Sequence, residues 1–102
     1  MSFGISPKSL DIILNTLINN KEVERVVIFG SRSMGNYKNG SDIDIAIYGP
    51  DISEVILNNI RVELNEILPL PYYFDIIHYE TLENLELKEH IDKHGSILYK
   101  RQ

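Results

Sequence analysis

Two aspartates that are two residues apart are the first candidates for chemistry in this 102-residue sequence. Asp42 and Asp44 open a run in which isoleucine occupies every second position up to Ile47. A period of two predicts a β-strand, so both carboxylates leave one face while the isoleucines enter the core. Two like charges this close repel each other unless a cation lies between them. Carboxylate oxygens bind Mg²⁺, so the pair indicates a magnesium site at a sheet edge. A solvated strand face is the alternative.

A loop rich in glycine and serine precedes this pair. Gly30 and Ser31 directly follow the run 26–29, Val-Val-Ile-Phe, whose apolar residues predict a strand covered on both sides. A glycine here lets the backbone approach a ligand and leaves N–H groups for phosphate oxygens, and the Ser31 hydroxyl adds a donor. The spacing of Gly30 and Gly35 matches a Walker loop, but the Lys and Ser/Thr required after the second glycine are absent. Walker-type phosphate binding is therefore excluded, and a plain turn between strand and helix is the alternative.

The remaining sequence predicts the elements that position these residues. Apolar spacing predicts a helix that begins after Ser6 and another from Asp51 or Ser53 to about Leu68, with a last helical region capped by Thr81. Strands are predicted at 23–29, 42–48 and 72–79, followed by a short extended tail at 96–99. This order predicts an α+β fold: a two-layer arrangement with a small mixed β-sheet and helices packed on it.

Length and composition narrow the function classes. The 102 residues predict one domain, 1–102, which is too short for a polymerase with a template channel. The absence of cysteine excludes a disulfide scaffold and cysteine-ligated metals. A net charge of −5, from 10 basic and 15 acidic residues, argues against direct nucleic-acid binding. Without a signal peptide or an apolar run of about 20 residues, we expect a cytoplasmic protein with no membrane contact.

Gly30-Ser31, the intervening loop and Ser41-Asp42-Ile43-Asp44 together resemble the signature of the nucleotidyltransferase superfamily that includes DNA polymerase beta. The short length is similar to that of the minimal nucleotidyltransferases, the MNT proteins, many of which are antitoxins encoded beside a HEPN-domain toxin. The resemblance implies a polymerase beta-like fold. It also implies Mg²⁺-dependent transfer of a nucleoside monophosphate, most simply AMP from ATP, to a hydroxyl group.

The resemblance also implies roles for individual residues. The family has a third carboxylate on the following strand, and Asp75 fits that position within the apolar run 73–77. A salt bridge or an edge position is the alternative explanation for Asp75. The implied catalytic and metal residues, for two Mg²⁺ ions, are Asp42, Asp44 and Asp75. The implied nucleotide-binding residues are Gly30, Ser31, Arg32 and Ser41. Met34 stands where the family often has an arginine.

The acceptor is expected on a second protein, because a core of about 100 residues leaves little chain for another substrate pocket. The resemblance implies a tyrosine of a HEPN toxin as acceptor, ATP or another nucleoside triphosphate as donor, and a homo- or hetero-oligomer. Two alternatives remain: a non-catalytic antitoxin that blocks its partner by binding, and a small-molecule transferase similar to aminoglycoside-modifying enzymes. His90 and His94, four residues apart, are interpreted as a solvated helix face.

Overall fold

The computed structural model describes residues 3–102 as alternating helices and strands. Helix α1 (Pro7–Ile18) leads into β1 (Arg25–Phe29), the short α2 (Gly30–Met34) and β2 (Ile43–Tyr48). Helix α3 (Glu54–Val62) continues into a π-helical turn (Glu63–Ile67) before β3 (Phe74–His78) and a 3₁₀ turn (Tyr79–Thr81). Helix α4 (Leu85–His94) and strand β4 (Ser96–Lys100) complete the chain.

The four strands form one mixed sheet in the order β3-β2-β1-β4. Strand β1 is antiparallel to both β2 and β4, whereas β2 and β3 are parallel. A parallel pair needs a crossover connection, and α3 with its π-helical turn supplies it. The predicted α+β class, a small mixed sheet with helices packed on it, is confirmed, and the extended tail is the edge strand β4.

Helices cover both faces of this sheet, so the structure has three layers and not the two that were predicted. On one face, Ile43, Ile45 and Ile47 are fully buried against apolar residues of α1 and α3, such as Leu17 and Ile60. On the other face, a second cluster joins α4 to the sheet through Val27, Phe29, Ala46 and Ile91. Strand β1 contributes to both clusters, which confirms that it is covered on both sides. The isoleucines of β2 therefore anchor the strand while Asp44 and Ala46 lie on the α4 face.

The predicted helix starts are confirmed for α1 and α3 but not for α4. Ser6 Oγ accepts the N–H of Ser9 at 3.2 Å, and Ser53 Oγ accepts that of Ile56 at 3.2 Å. The prediction that Thr81 caps the last helix is wrong. Because residues 79–81 form a 3₁₀ turn, α4 begins later, and its cap is Asn84.

The helix predicted to reach Leu68 changes its geometry before it ends. Its α-helical part stops at Val62, and the N–H of Leu68 donates to the carbonyl of Glu63, five residues earlier, at 3.0 Å. This i→i+5 bond is that of a π-helix.

No helix within residues 3–102 is long and apolar enough to cross a membrane.

Candidate active site

Three predicted carboxylates meet at one end of the β2–β3 pair. Asp44 and Asp75 are register partners on parallel strands, so their side chains leave the same face. Asp42 lies two residues ahead of Asp44, just before β2 begins. Asp44 is partly buried, while Asp42 and Asp75 are exposed. The two salt bridges within residues 3–102 lie elsewhere, so no basic side chain in that range pairs with these carboxylates.

Asp75 occupies an open position at the edge of the sheet. An edge position was one of the alternative explanations for an acid in this apolar run, and the structure shows it. Strand β3 is an edge strand, and burial alternates along it: Phe74 and Ile76 enter the core while Asp75 faces solvent. The edge position therefore explains how an acid is tolerated within an apolar run, and it leaves Asp75 open to a ligand.

The electrostatics of the site are dominated by Asp44. Burial, then the negative charges of Asp75 and Asp42, raise the pKa of Asp44 from 3.8 to about 6, against an opposing effect of Arg32. A raised pKa means that the surroundings stabilise the charged form of the carboxyl less than water does. Such a group binds a proton or a cation more readily than an isolated aspartate does, which is a common property of functional sites.

The chemistry of this donor set fits Mg²⁺. Within residues 3–102 there is no group of three or more His, Cys, Asp or Glu side chains that could by itself hold a metal ion. Mg²⁺ seldom uses such a cage: it keeps several waters and binds one or two carboxylates together with substrate phosphates. Asp44 with Asp42 or Asp75 provides that number of carboxylates. The site is thus suited to a metal that arrives with a phosphorylated substrate.

Gly30 brings the predicted phosphate loop (residues 30–41) against Asp44. It follows Phe29, which pairs with Asp44 across β1 and β2. Gly30 has φ +75°, and a Cβ added there would collide with the Asp44 carboxylate. The φ favours glycine, because L side chains rarely adopt it, and an added Cβ would also force the Asp44 carboxylate to move. The backbone of Gly30 therefore lies directly against Asp44.

Ser31 and Met34 occupy the short helix α2 that follows. The Ser31 carbonyl accepts the N–H of Asn36 at 3.1 Å, which closes the turn after the helix. The side chain of Ser31 is partly buried next to Gly30. Met34, at the position where the family often has arginine, is half exposed and offers no charge to a phosphate.

Arg32 is buried and bonded within the chain, and its nucleotide contact remains a prediction. It is only 4% exposed. Its Nε and Nη2 donate to the carbonyl of Ser41 at 3.2 and 2.8 Å, and its Nη1 donates to the carbonyl of Phe3 at 2.8 Å. The guanidinium also lies over the rings of Tyr37 and Tyr72. The N–H donors of the Arg32 guanidinium are thus already used to hold the loop that ends at Ser41.

Ser41 is likewise part of the loop framework. Its hydroxyl oxygen accepts the N–H of Lys38 at 2.9 Å, and its carbonyl accepts Arg32. Together these contacts fix the backbone immediately before Asp42. Ser41 lies next to the carboxylates as expected, and its nucleotide contact remains a prediction.

His90 is a site residue that sequence reasoning missed. Its Nε2 accepts the N–H of Gly30 at 3.2 Å, and its ring packs edge-on against Phe29. The interpretation of His90 as a solvated helix residue is therefore wrong, because α4 packs on the sheet face beside Gly30. One signal was present: His90 directly precedes Ile91, which is buried against that face.

Comparison with protein families gives an assignment that agrees with this geometry. Residues 11–102 match the family described as "Polymerase beta, Nucleotidyltransferase". This match covers most of the chain, so the protein belongs to the polymerase beta nucleotidyltransferase family. The resemblance read from Gly30 to Asp44 is confirmed at this level. A comparison with curated proteins found no match.

Several solved structures share the fold. A chain from a crystal structure of a toxin–antitoxin with AMP-PNP superposes with a TM-score of 0.76 at 23% identity, covering 91% of this chain and 74% of the other. A chain from the complex of a tri-AMPylated Shewanella oneidensis HEPN toxin with MNT antitoxin gives 0.71 at 21% identity, covering 93% and 72%. A putative nucleotidyltransferase from Sulfolobus solfataricus gives 0.54 at 23% identity, covering 91% and 78%. At these identities the likeness establishes the fold.

Proposed function

We propose that the protein transfers AMP from ATP, with Mg²⁺, to a hydroxyl group of a partner protein, and that it thereby acts as an antitoxin. The observation that carries this proposal is the placement of Gly30 against Asp44, with Asp75 in register beside it. This arrangement combines a backbone suited to phosphates with carboxylates suited to a cation. Both are needed to bind a nucleoside triphosphate.

The donor side of the reaction is assigned to the phosphate loop. The N–H of Gly30 and the hydroxyl of Ser31 donate to the β- and γ-phosphates of ATP. The bond from Gly30 to His90 is exchanged for the phosphate when the nucleotide binds. Since the side chain of Arg32 is already engaged, the loop relies on neutral donors and on the cation for affinity.

The carboxylates carry the chemical step. Asp44, with Asp42 or Asp75, would hold Mg²⁺ together with the phosphates of ATP. Bound there, Mg²⁺ would polarise the phosphates and neutralise charge on the leaving pyrophosphate. The acceptor oxygen attacks the α-phosphorus, the bond to the bridging oxygen of pyrophosphate breaks, and pyrophosphate leaves. Asp75 takes the proton of the acceptor hydroxyl. It is suited to this because it is exposed at the sheet edge, where an acceptor can reach it.

The acceptor is assigned to a partner protein, with a tyrosine of a HEPN toxin as the specific candidate. One structural neighbour is a complex with a tri-AMPylated HEPN toxin, and another is a toxin–antitoxin with AMP-PNP. The surface near Asp75 supports a protein partner: Tyr73 is 65% exposed, and Val62 of α3 lies along the same groove. Exposed aromatic and aliphatic residues are frequent in interfaces.

Transfer of label from ATP tests the proposal. The protein and its co-encoded HEPN partner are incubated with Mg²⁺ and α-labelled ATP and are then separated on a denaturing gel. We expect label on the partner, and we expect Asp44→Asn to lose at least 100-fold in rate. Asp51→Asn is the matched control, because Asp51 is an exposed carboxylate in a turn beyond β2. A partner that is inhibited but never labelled would establish the non-catalytic antitoxin instead, and rapid labelling of a small molecule would establish the small-molecule transferase.

A further inference from the structure

The outer edge of β3 is closed by a side chain. Asn65 bonds both backbone groups of Phe74: its Oδ1 accepts the N–H at 2.7 Å and its Nδ2 donates to the carbonyl at 3.1 Å. A neighbouring strand would make the same pair of bonds in a sheet. The amide of Asn65 thus replaces the strand that β3 lacks on this side.

A second side chain continues this closure on the far side of Asp75. Arg61 donates from Nε and Nη2 to the carbonyl of Ile76 at 3.1 and 2.9 Å, and its Nη1 donates to Asn58 Oδ1 at 3.2 Å. Asn65 therefore holds the residue before Asp75, and Arg61 holds the residue after it. On the inner side, register pairing with Asp44 holds Asp75 itself.

The segment that supplies both side chains has unusual geometry. Arg61 lies near the end of α3, and Asn65 lies within the π-helical turn Glu63–Ile67. In the same turn, Leu64 is fully buried in the core. A π-helical turn is rare and is frequently found at functional sites. Here it permits Leu64 to stay in the core while Asn65 reaches the edge of β3.

We propose that Asn65 and Arg61 are positioning residues that fix Asp75 opposite Asp44. An edge strand held on one side only can shift or fray, and a shift of about 1 Å at a reacting group can cost about 100-fold in rate. The two side chains remove that freedom without touching the carboxylate. The consequence for catalysis rests on the proposed function, whereas the consequence for cation binding by Asp44 and Asp75 does not.

Mn²⁺ binding to the protein in the presence of AMP-PNP, followed by electron paramagnetic resonance, tests the proposal without a partner. Loss of residues that orient metal ligands typically weakens affinity 10–100-fold, and we expect this range for Asn65→Ala. Amide hydrogen exchange should show faster exchange at Phe74 and unchanged exchange at Glu24, whose N–H donates to Tyr48 at the other end of β2. Asn59→Ala is the matched control, because Asn59 is an exposed asparagine of α3, the helix that leads into the turn with Asn65.

Arg61→Lys provides a second test that keeps the charge and removes the paired donation to Ile76. We expect weaker Mn²⁺ binding of the same kind as in Asn65→Ala, but smaller. In the labelling assay, both variants should lower kcat while leaving KM for ATP close to wild type, because the phosphate loop is untouched. A purely structural role would lower the melting temperature and leave kcat per folded molecule unchanged.

The outcomes separate this inference from the proposed function. Wild-type Mn²⁺ affinity in Asn65→Ala, despite fast exchange at Phe74, would overturn the positioning role. If Asn65→Ala does not fold, wild-type affinity in Arg61→Lys would do the same. A wild-type protein that labels no partner would refute the transferase while leaving the Mn²⁺ result valid.

Discussion

Strand β2 presents side chains on the same face of the sheet at both of its ends. The surroundings of these side chains differ between the two ends. At the far end, Tyr48 stacks on Tyr79 with ring centroids 4.4 Å apart, and the Arg25 guanidinium lies over its ring at 5.0 Å. The Tyr79 hydroxyl donates to Asp92 at 2.7 Å. At the near end, Asp44 faces two further carboxylates and has no salt-bridge partner within residues 3–102.

Burial raises the pKa of a side chain at both ends, with opposite consequences. Burial and the neighbouring Tyr79 raise the pKa of Tyr48 to about 12, which keeps its phenol neutral at pH 7. Burial and the neighbouring Asp75 raise the pKa of Asp44 to about 6, so this carboxyl is still charged at pH 7 and the repulsion persists. At the far end, the interactions of Tyr48 are all supplied by groups of the chain itself. At the near end, a bound cation would relieve the repulsion among the carboxylates.

The largest expected difference between the two ends of β2 comes from a substitution of Gly30. Gly30→Ala introduces a Cβ that collides with Asp44 at a φ of +75°. We expect loss of AMP-PNP binding by calorimetry and a destabilisation of at least about 1–3 kcal/mol. Gly35→Ala is the matched control, because its φ is +82° with nothing near the added Cβ. Equal AMP-PNP affinity in the two variants would place the nucleotide elsewhere.

A smaller effect, with a defined pH dependence, is expected at Asp44. Its folded-state pKa of about 6 exceeds the unfolded value of 3.8, so folding takes up a proton between these pH values. The stabilisation from the protonated form is complete below about pH 4 and is lost as the pH rises through 6. In the metal-free protein, Asp44→Asn should therefore be more stable than wild type at pH 8, by about 1 kcal/mol after solvent screening.

Chemical denaturation in EDTA at pH 4 and pH 8 measures this difference. The gain in Asp44→Asn should shrink towards zero at pH 4, and Mg²⁺ should stabilise wild type but not the variant at pH 8. Asp51→Asn should show neither behaviour. A variant that is less stable than wild type at pH 8 would mean that the Asp44 carboxylate is compensated within the chain.

The smallest effect is expected at the far end. Tyr79→Phe removes the hydrogen bond to Asp92 but keeps the stack on Tyr48. We expect a loss of about 0.5 kcal/mol, because the bond is exposed, and no change in AMP-PNP affinity. A change in nucleotide affinity would show that the two ends are coupled, and the comparison between them would no longer hold.

Local patterns in the sequence predict local structure well and distant contacts poorly. The alternation after Asp42 and the caps at Ser6 and Ser53 depend on residues a few positions away, and these predictions are confirmed. The burial of Arg32 depends on Phe3, 29 residues earlier, and the contact of His90 with Gly30 spans 60 residues. No periodicity encodes such contacts. The motif thus predicted which residues lie close together, while tertiary packing decided which of their side chains are already bonded within the chain.

Intact mass measurement is the most direct test of the proposed AMP transfer. A HEPN protein, the proposed partner, is purified after co-expression with the wild-type protein or with Asp44→Asn, and its mass is measured. We expect a gain of one or more AMP units with the wild type and none with the variant. A tight complex in which the HEPN protein keeps its unmodified mass would refute AMP transfer.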